Sequence, residues 1–307
     1  MGHSRYDAGL YRSYSTSTSS MTDMDYKART IKEDFDPRQI KVRESKRSDL
    51  NPNPTPTIVA LDVTGSMGSV VEAMRKGLGT LFEQIIDRKP VSDPHVLACA
   101  IGDMEEGDRA PIQATQFEAD PVTIGKQIEE LYLERGGGSN IHESYLGPLY
   151  FAAMRTDCDA FTETPPRKGF LFTVGDEEPH MVLHKEHIQQ FFGDQVENDL
   201  SAAELLKMVE PNWHYFHLIV MEGSYAGSRP DKTIKAWVDL IGQKAIKLSD
   251  HTKMAEVIIS LMEVIAGRDK DDIVKSWGKG TDLVVADAIA GLPALPGTGT
   301  APGPVAL

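Results

Sequence analysis

Two cysteines in 307 residues, Cys99 and Cys158, are too few for a disulfide framework. No apolar run reaches the length needed to cross a bilayer, and no apolar leader opens the sequence as given. Basic side chains fall short of acidic ones, 32 against 46, and the formal charge of −14 opposes nucleic-acid binding by bulk electrostatics. There is no Gly-x-x-x-x-Gly-Lys-Ser/Thr loop to cradle phosphates, no His-Glu-x-x-His pair and no internal repeat. The expectation is a cytoplasmic protein with no membrane and no nucleic-acid partner.

What is present is an alternation of strand-like and helix-like segments. Apolar runs at 57–63, 96–101, 170–174, 213–220 and 245–248 read as strands, with a weaker edge strand at 110–117. Val70, Met74, Leu78, Leu81 and Ile85 mark one face of a helix that stops before Pro90. Further helices are expected at 124–132, 144–154, 233–241 and 253–265, and a short amphipathic one at 283–292. Such alternation implies an α/β protein with a Rossmann-like, mostly parallel central sheet covered by helices on both faces. Residues 1–54, rich in Ser, Thr, Tyr and charge, read as a flexible N-terminal arm, 55–267 as the domain and 268–307 as a C-terminal tail. In that tail Leu295-Pro296-Gly297-Thr298-Gly299 matches a sortase recognition pentapeptide, but no apolar segment follows it and it is read as coincidence.

The chemistry concentrates where strands end. The run Ile58 to Leu61 leads into Asp62, with Thr64 and Ser66 following at alternate positions. Alternate residues of an extended segment share a side, so the three oxygens can converge. An oxygen-only donor set suits a hard cation, Mg²⁺ with Mn²⁺ or Ca²⁺ as alternatives. A glycine turn, Gly136-Gly137-Gly138, delivers Ser139 and then Glu143, and a third strand ends at Asp176. Ligands in open parallel sheets sit at the carboxyl ends of the strands, where connections diverge. A strand-end Asp-x-Thr-Gly-Ser also serves simply to cap a helix; the two downstream loops favour a site.

Asp62-x-Thr64-x-Ser66, the glycine-led Ser139 loop and Asp176 together resemble the metal-ion-dependent adhesion site of the von Willebrand factor A family, over roughly residues 55–267. The resemblance implies that the hydroxyls of Thr64 and Ser66 contact the metal, with Asp62 and Asp176 near it directly or through water. Ser139 stands where the family usually has threonine. The run Asp176-Glu177-Glu178-Pro179-His180 is similar to an Asp-x-x-Pro-His variant of some bacterial members. In the integrin beta-subunit branch a glutamate of the second loop joins the metal, which leaves Glu143 open beside Ser139.

The function that resemblance implies is a binding module: a metal with an open position takes an acidic residue of a partner protein. By family habit the partner system is a MoxR-type AAA+ ATPase or a tellurium-resistance-like stress module. Two other classes stay open. One is a structural subunit of an assembly with a vestigial metal site. The other is a Mg²⁺-dependent phosphoryl-transfer enzyme of the haloacid-dehalogenase kind, where Thr64 would occupy the proton donor's place and cannot serve as one. Separately, His180, His184 and His187 fall at i, i+4 and i+7, so a helix starting after Pro179 would put three imidazoles on one face, as a solvated surface or a transition-metal site.

Overall fold

The computed structural model describes residues 30–67, 87–133 and 142–293, with positions 13, 28, 77, 81, 84 and 85 besides. Among these residues six strands form one sheet: β1 Thr55–Asp62, β2 Pro94–Ile101, β3 Ile112–Ala114, β4 Gly169–Gly175, β5 Trp213–Val220 and β6 Ala245–Leu248. Their order across the sheet is β3-β2-β1-β4-β5-β6. All neighbours run parallel except β3, which lies antiparallel on the edge beside β2. The strand order reverses between β1 and β4, and that is where an open α/β sheet leaves a crevice at its carboxyl edge.

Parallel strands need crossovers, and the crossovers cover both faces. Period-two alternation sorts the strand side chains: Ile58, Ala60, Leu97 and Leu171 face one layer, Val59, Leu61, Phe172 and Val174 the other. The first layer is closed by α2 Leu146–Met154, α3 Lys185–Phe192, α4 Ala202–Val209 and α5 Pro230–Ile241, through Leu149, Ile188, Leu205 and Trp237. The second is closed by α1 Pro121–Glu129, α6 Met254–Ile265, α7 Lys270–Lys275 and α8 Thr281–Ile289, through Ile124, Ile258, Ile273 and Val285. Leu81 and Ile85 are buried in this second layer. Val70, Met74 and Leu78, expected on the same helix face, lie outside the described residues.

Local chemistry sets several boundaries. Asp120 accepts from the amides of Val122 and Thr123, and Pro121 opens α1 with its φ already helical. Ser201 and Glu204 form a reciprocal capping box at the start of α4. The edge strand is shorter than the expected 110–117; beyond Ala114, the Thr115 hydroxyl accepts from the Ala98 amide and Glu118 rejoins Val96 by a single bridge.

Packed residues also lie in both segments assigned above to arm and tail. Arg43–Ser45 pairs in parallel with Thr156–Cys158, Phe35 and Ile40 are buried, and Ser45 Oγ meets His95 Nδ1 at 3.0 Å. At the other end Glu263 receives both Arg88 Nε and Nη2 at 2.9 Å, and the same guanidinium lies 3.9 Å over the Trp277 ring. The sortase-like pentapeptide lies outside the described residues.

Cys99 and Cys158 are free and buried, and burial pushes both thiols up, Cys158 to about 12. The thiolate is the reactive form, so an aromatic disulfide reagent is expected to leave both cysteines untouched in the folded protein and to titrate two thiols in guanidinium. Fast reaction of either under native conditions would contradict this packing.

Candidate metal centre

β1 and β4 are adjacent, with Leu61 opposite Val174, so the acids that follow them emerge side by side at the carboxyl edge. Asp62 and Asp176 are fully buried there, and Thr64 is 3 % exposed. Glu143 comes from a different direction: His142–Glu143 pairs in parallel with Glu178–Pro179, which brings the second and third loops together over the strand ends.

Asp62 Oδ1 accepts from the Thr64 amide at 2.9 Å and from the Thr64 hydroxyl at 2.6 Å. Because Thr64 gives its only hydroxyl proton in that bond, the lone pairs of Oγ1 are what it offers to anything else. Asp62 Oδ2 accepts from the Tyr145 hydroxyl at 3.0 Å, and the same hydroxyl receives the Glu177 amide at 3.3 Å. Tyr145 thus joins the end of β1 to the third loop. The loop is held a second time by Trp237, whose indole nitrogen donates to the Glu177 carbonyl at 2.9 Å. Asp176 Oδ2 accepts from the Tyr225 amide at 2.8 Å, and Gly223 lies so close that a Cβ there would stand 2.3 Å from Asp176 Cβ.

Two more buried carboxylates belong to this group, Asp103 and Glu177. Asp103 Oδ1 lies 3.2 Å from His180 Nε2, and the His180 ring stacks on His142 with centroids 5.3 Å apart. Ser144, next to Glu143, accepts the Met104 amide at 2.9 Å and anchors the loop that carries Asp103.

So much negative charge in a dry place raises the proton affinity of its members. Burial pushes Asp62 up to about 7, opposed by the Thr64 hydroxyl bond and reinforced by the Asp176 charge. Glu143 is driven far above the usual carboxylate range, first by burial and then by the charges of Asp62, Glu177 and Asp103. Glu143 Oε2 is buried with no hydrogen-bond partner. Buried acceptors are nearly always satisfied, and a divalent cation is one group that would satisfy this one and relieve the crowded charge. The donor set of carboxylates and a neutral hydroxyl whose proton is directed at Asp62, leaving its lone pairs outward, fits a hard cation.

The expected site residues fare differently. Asp62, Thr64, Asp176 and Glu143 are brought to one end of the sheet. Ser66 lies in the turn Gly65–Met67 with its side chain outside the described residues, and Ser139 lies outside them altogether. The carboxylates of Asp62, Glu143 and Asp176 do not by themselves place three ligand atoms within 4.8 Å; among the described residues the groups that do are His184, Glu186, Asp199 and Glu222, Asp250, His251. A cation in the crevice would therefore rely on hydroxyl and water oxygens as well. Asp103 was missed, although it obeys the same strand-end rule as Asp62 and Asp176, two residues past β2. Nothing in the sequence marks Tyr145.

The histidine face is corrected. After Pro179 the chain makes the short strand Val182–Leu183 and begins α3 only at Lys185. His180 therefore turns to Asp103, His184 is the residue before the helix, and only His187 lies on it.

Fold and crevice together define a doubly wound α/β protein with buried acids at its switch point. No protein-family profile matches the chain, and no curated protein matches it in sequence. Among solved structures it is similar to the pilus adhesin SpaC from Lactobacillus rhamnosus GG, at 10 % identity and a TM-score of 0.46 over 73 % of this chain and 32 % of that one. It is similar to an aerotolerance-related membrane protein from Bacteroides fragilis NCTC 9343, at 14 % identity and a TM-score of 0.39, covering 68 % and 98 %. Proximal thread matrix protein 1 from the mussel byssus matches at 9 % identity and a TM-score of 0.43, covering 74 % and 49 %. The chain spans about a third of the length of the SpaC structure.

Proposed function

We propose that this protein is a metal-dependent protein-binding module of the von Willebrand factor A kind. In this reading Mg²⁺ is held by Asp62, Thr64, Ser66, Ser139 and Asp176, with Glu143 beside it. The observation that carries the reading is the convergence of buried acids from separate strand ends around a hydroxyl whose proton is already committed, with Glu143 Oε2 lacking a partner. The ion supplies an electrophilic position that a carboxylate of a partner fills. Asp62 orients the Thr64 oxygen, Tyr145 fixes Asp62 against the third loop, and the protein shell keeps bulk water from the acids.

An ion held largely by neutral hydroxyls stays electron-poor and binds an outside carboxylate well, while each protein carboxylate added to its shell weakens that demand. Glu143 therefore sets how strongly the module grips its partner. A MoxR-type AAA+ ATPase is the partner class proposed from the family resemblance. Catalysis is not part of this reading, because Thr64 stands where a phosphoryl-transfer enzyme of the rival class would need an acid, and threonine does not donate a proton in that role. Among the described residues no helix is long and apolar enough to cross a membrane.

An affinity capture from native lysate tests the proposal in three arms: with Mg²⁺, with EDTA, and with Asp62→Ala/Asp176→Ala in Mg²⁺. The expected result is a partner retained by the unaltered protein with Mg²⁺ and lost in the other two arms. Equal retention in all three would overturn metal-bridged recognition and favour a structural subunit.

A further inference from the structure

The amino edge of the sheet, at the opposite end from the crevice, carries a separate hollow of about 240 Å³. It lies between the last turns of α4 and α5 and the start of β5, and Leu206, Val209, Leu240 and Ile241 give it an apolar wall. Pockets for drug-sized molecules span about 300–1,000 Å³, so an occupant here is small. Trp213 also lines the hollow; its side chain is 2 % exposed, and its indole nitrogen is buried with no hydrogen-bond partner among the described residues. An indole nitrogen only donates, and a buried one nearly always finds an acceptor. Neighbouring backbone fixes the direction of the ring: a Cβ on Gly169, the register partner of Trp213 on β4, would stand 2.8 Å from Cζ3, so the benzo edge faces β4. The nitrogen is on the opposite edge of the rigid ring, toward the β6 side where Leu240, Ile241 and Lys244 lie.

Charge at this end runs against the rest of the chain. The formal total is −14, yet Lys168, Lys207 and Lys244 gather here around a single lining acid, Glu210. Lys168 is committed, since its ammonium donates to the Glu210 carbonyl at 2.6 Å, just past the end of α4. Lys207 and Lys244 line the hollow and make no side-chain hydrogen bond or ion pair among the described residues. Their field is felt nearby: the His214 imidazole is held down to about 4, first by burial and then by the charges of Lys168 and Lys244. An apolar hollow with a buried donor lacking an acceptor and two uncommitted cations on its wall is complementary to a ligand that is both apolar and anionic.

We propose that this hollow is a binding site for a small apolar carboxylate. The hydrocarbon part lies on Leu206, Val209, Leu240 and Ile241, where burial of apolar surface drives entry. One carboxylate oxygen accepts the Trp213 indole hydrogen, and Lys207 and Lys244 close over the charge on flexible stems. The two ammonium groups also offset the negative ends of α4 and α5, which would otherwise repel an anion.

Isothermal titration of octanoate into the full chain tests this, with 1-octanol as the uncharged counterpart and circular dichroism melting to confirm that each variant is folded. Octanoate is expected to bind at a single site, and roughly fivefold or more tighter than 1-octanol, the scale of modest exposed charge pairing. Trp213→Phe keeps an aromatic ring and removes the donor, and should weaken octanoate about tenfold, as loss of a hydrogen bond to a charged group does. Lys207→Gln/Lys244→Gln should remove the advantage over 1-octanol, and Leu240→Trp, which fills the hollow, should abolish binding of both probes. The proposal is overturned if octanoate does not bind, if it binds no better than 1-octanol, if the lysine variant keeps that advantage, or if either Trp213→Phe or Leu240→Trp leaves octanoate unaffected. A dimer in sedimentation that Leu240→Trp dissolves would assign the hollow to a second copy of this chain and overturn it as well.

Discussion

Gly175→Ala is expected to lower stability by about 3 kcal/mol, the upper range for forcing a methyl into a packed site. A Cβ at this last residue of β4 would stand 2.1 Å from the Tyr145 hydroxyl and 2.7 Å from two of its ring carbons. Tyr145 has nowhere to retreat, because its ring abuts Trp237 and His217 edge to face, with centroids 5.3 and 4.9 Å away. For a chain of this size the melting midpoint should fall by roughly 4–6 °C. Tyr145→Phe removes the atom in closest conflict, so the double variant should lose less than the sum of the two single changes, with a coupling of about 1 kcal/mol. Additive losses, or a midpoint unmoved by Gly175→Ala, would show that the tyrosine is not wedged against β4. The same wedge supports Asp62, so Mg²⁺ affinity is expected to fall with it.

The second large effect is a pH dependence that reverses the usual acid sensitivity of proteins. Asp62 and Glu143 bind protons more tightly when folded, because burial and neighbouring acids disfavour their ionised forms. Between the ordinary carboxylate pKa near about 4 and the raised folded value, the native state holds more protons than the unfolded chain, so stability falls as pH rises. For Asp62, raised to about 7, the span corresponds to a loss on the order of 4 kcal/mol, and Glu143 acts in the same direction. In EDTA the protein should therefore melt at a higher temperature at pH 5 than at pH 8. On the proposed metal-binding reading, saturating Mg²⁺ would replace the protons, and at about 100 times its dissociation constant it would restore about 2.7 kcal/mol. The Mg²⁺-induced rise in melting temperature should accordingly be larger at pH 8 than at pH 5. A flat profile in EDTA, with no Mg²⁺ effect at either pH, would mean that the acids are not confined together.

Particular elements show how far local pattern carries. The strands at 213–220 and 245–248 are where the apolar runs placed them, and α6 starts within a residue of its expected position. The helix α4 is legible too, since Ser201 and Glu204 spell a capping box before an apolar stripe, although the expected helices do not include it. The histidine spacing misled because periodicity assumes a continuous helix. Here β-pairing of Glu178–Pro179 with His142–Glu143, a contact made far along the chain, extends the segment that pattern alone would coil. Phe35 and Ile40 were hidden for a related reason: two isolated apolar residues among charges have no period, and become core only when the body offers them a surface.

By itself the sequence determined the α/β alternation and the presence of acids at strand ends, because side-chain periodicity and strand termination are properties of neighbouring residues. Only the tertiary structure decided which of those acids meet. The order β3-β2-β1-β4-β5-β6 sets Asp62 beside Asp176 at the switch point, and packing seats Tyr145 on Gly175. Long-range register brings Glu143 and Asp103 into the same dry cluster and turns His180 to Asp103. Burial and the sum of neighbouring charges exist only once distant segments share a space, so the electrostatics of the crevice belong to the fold and not to any motif.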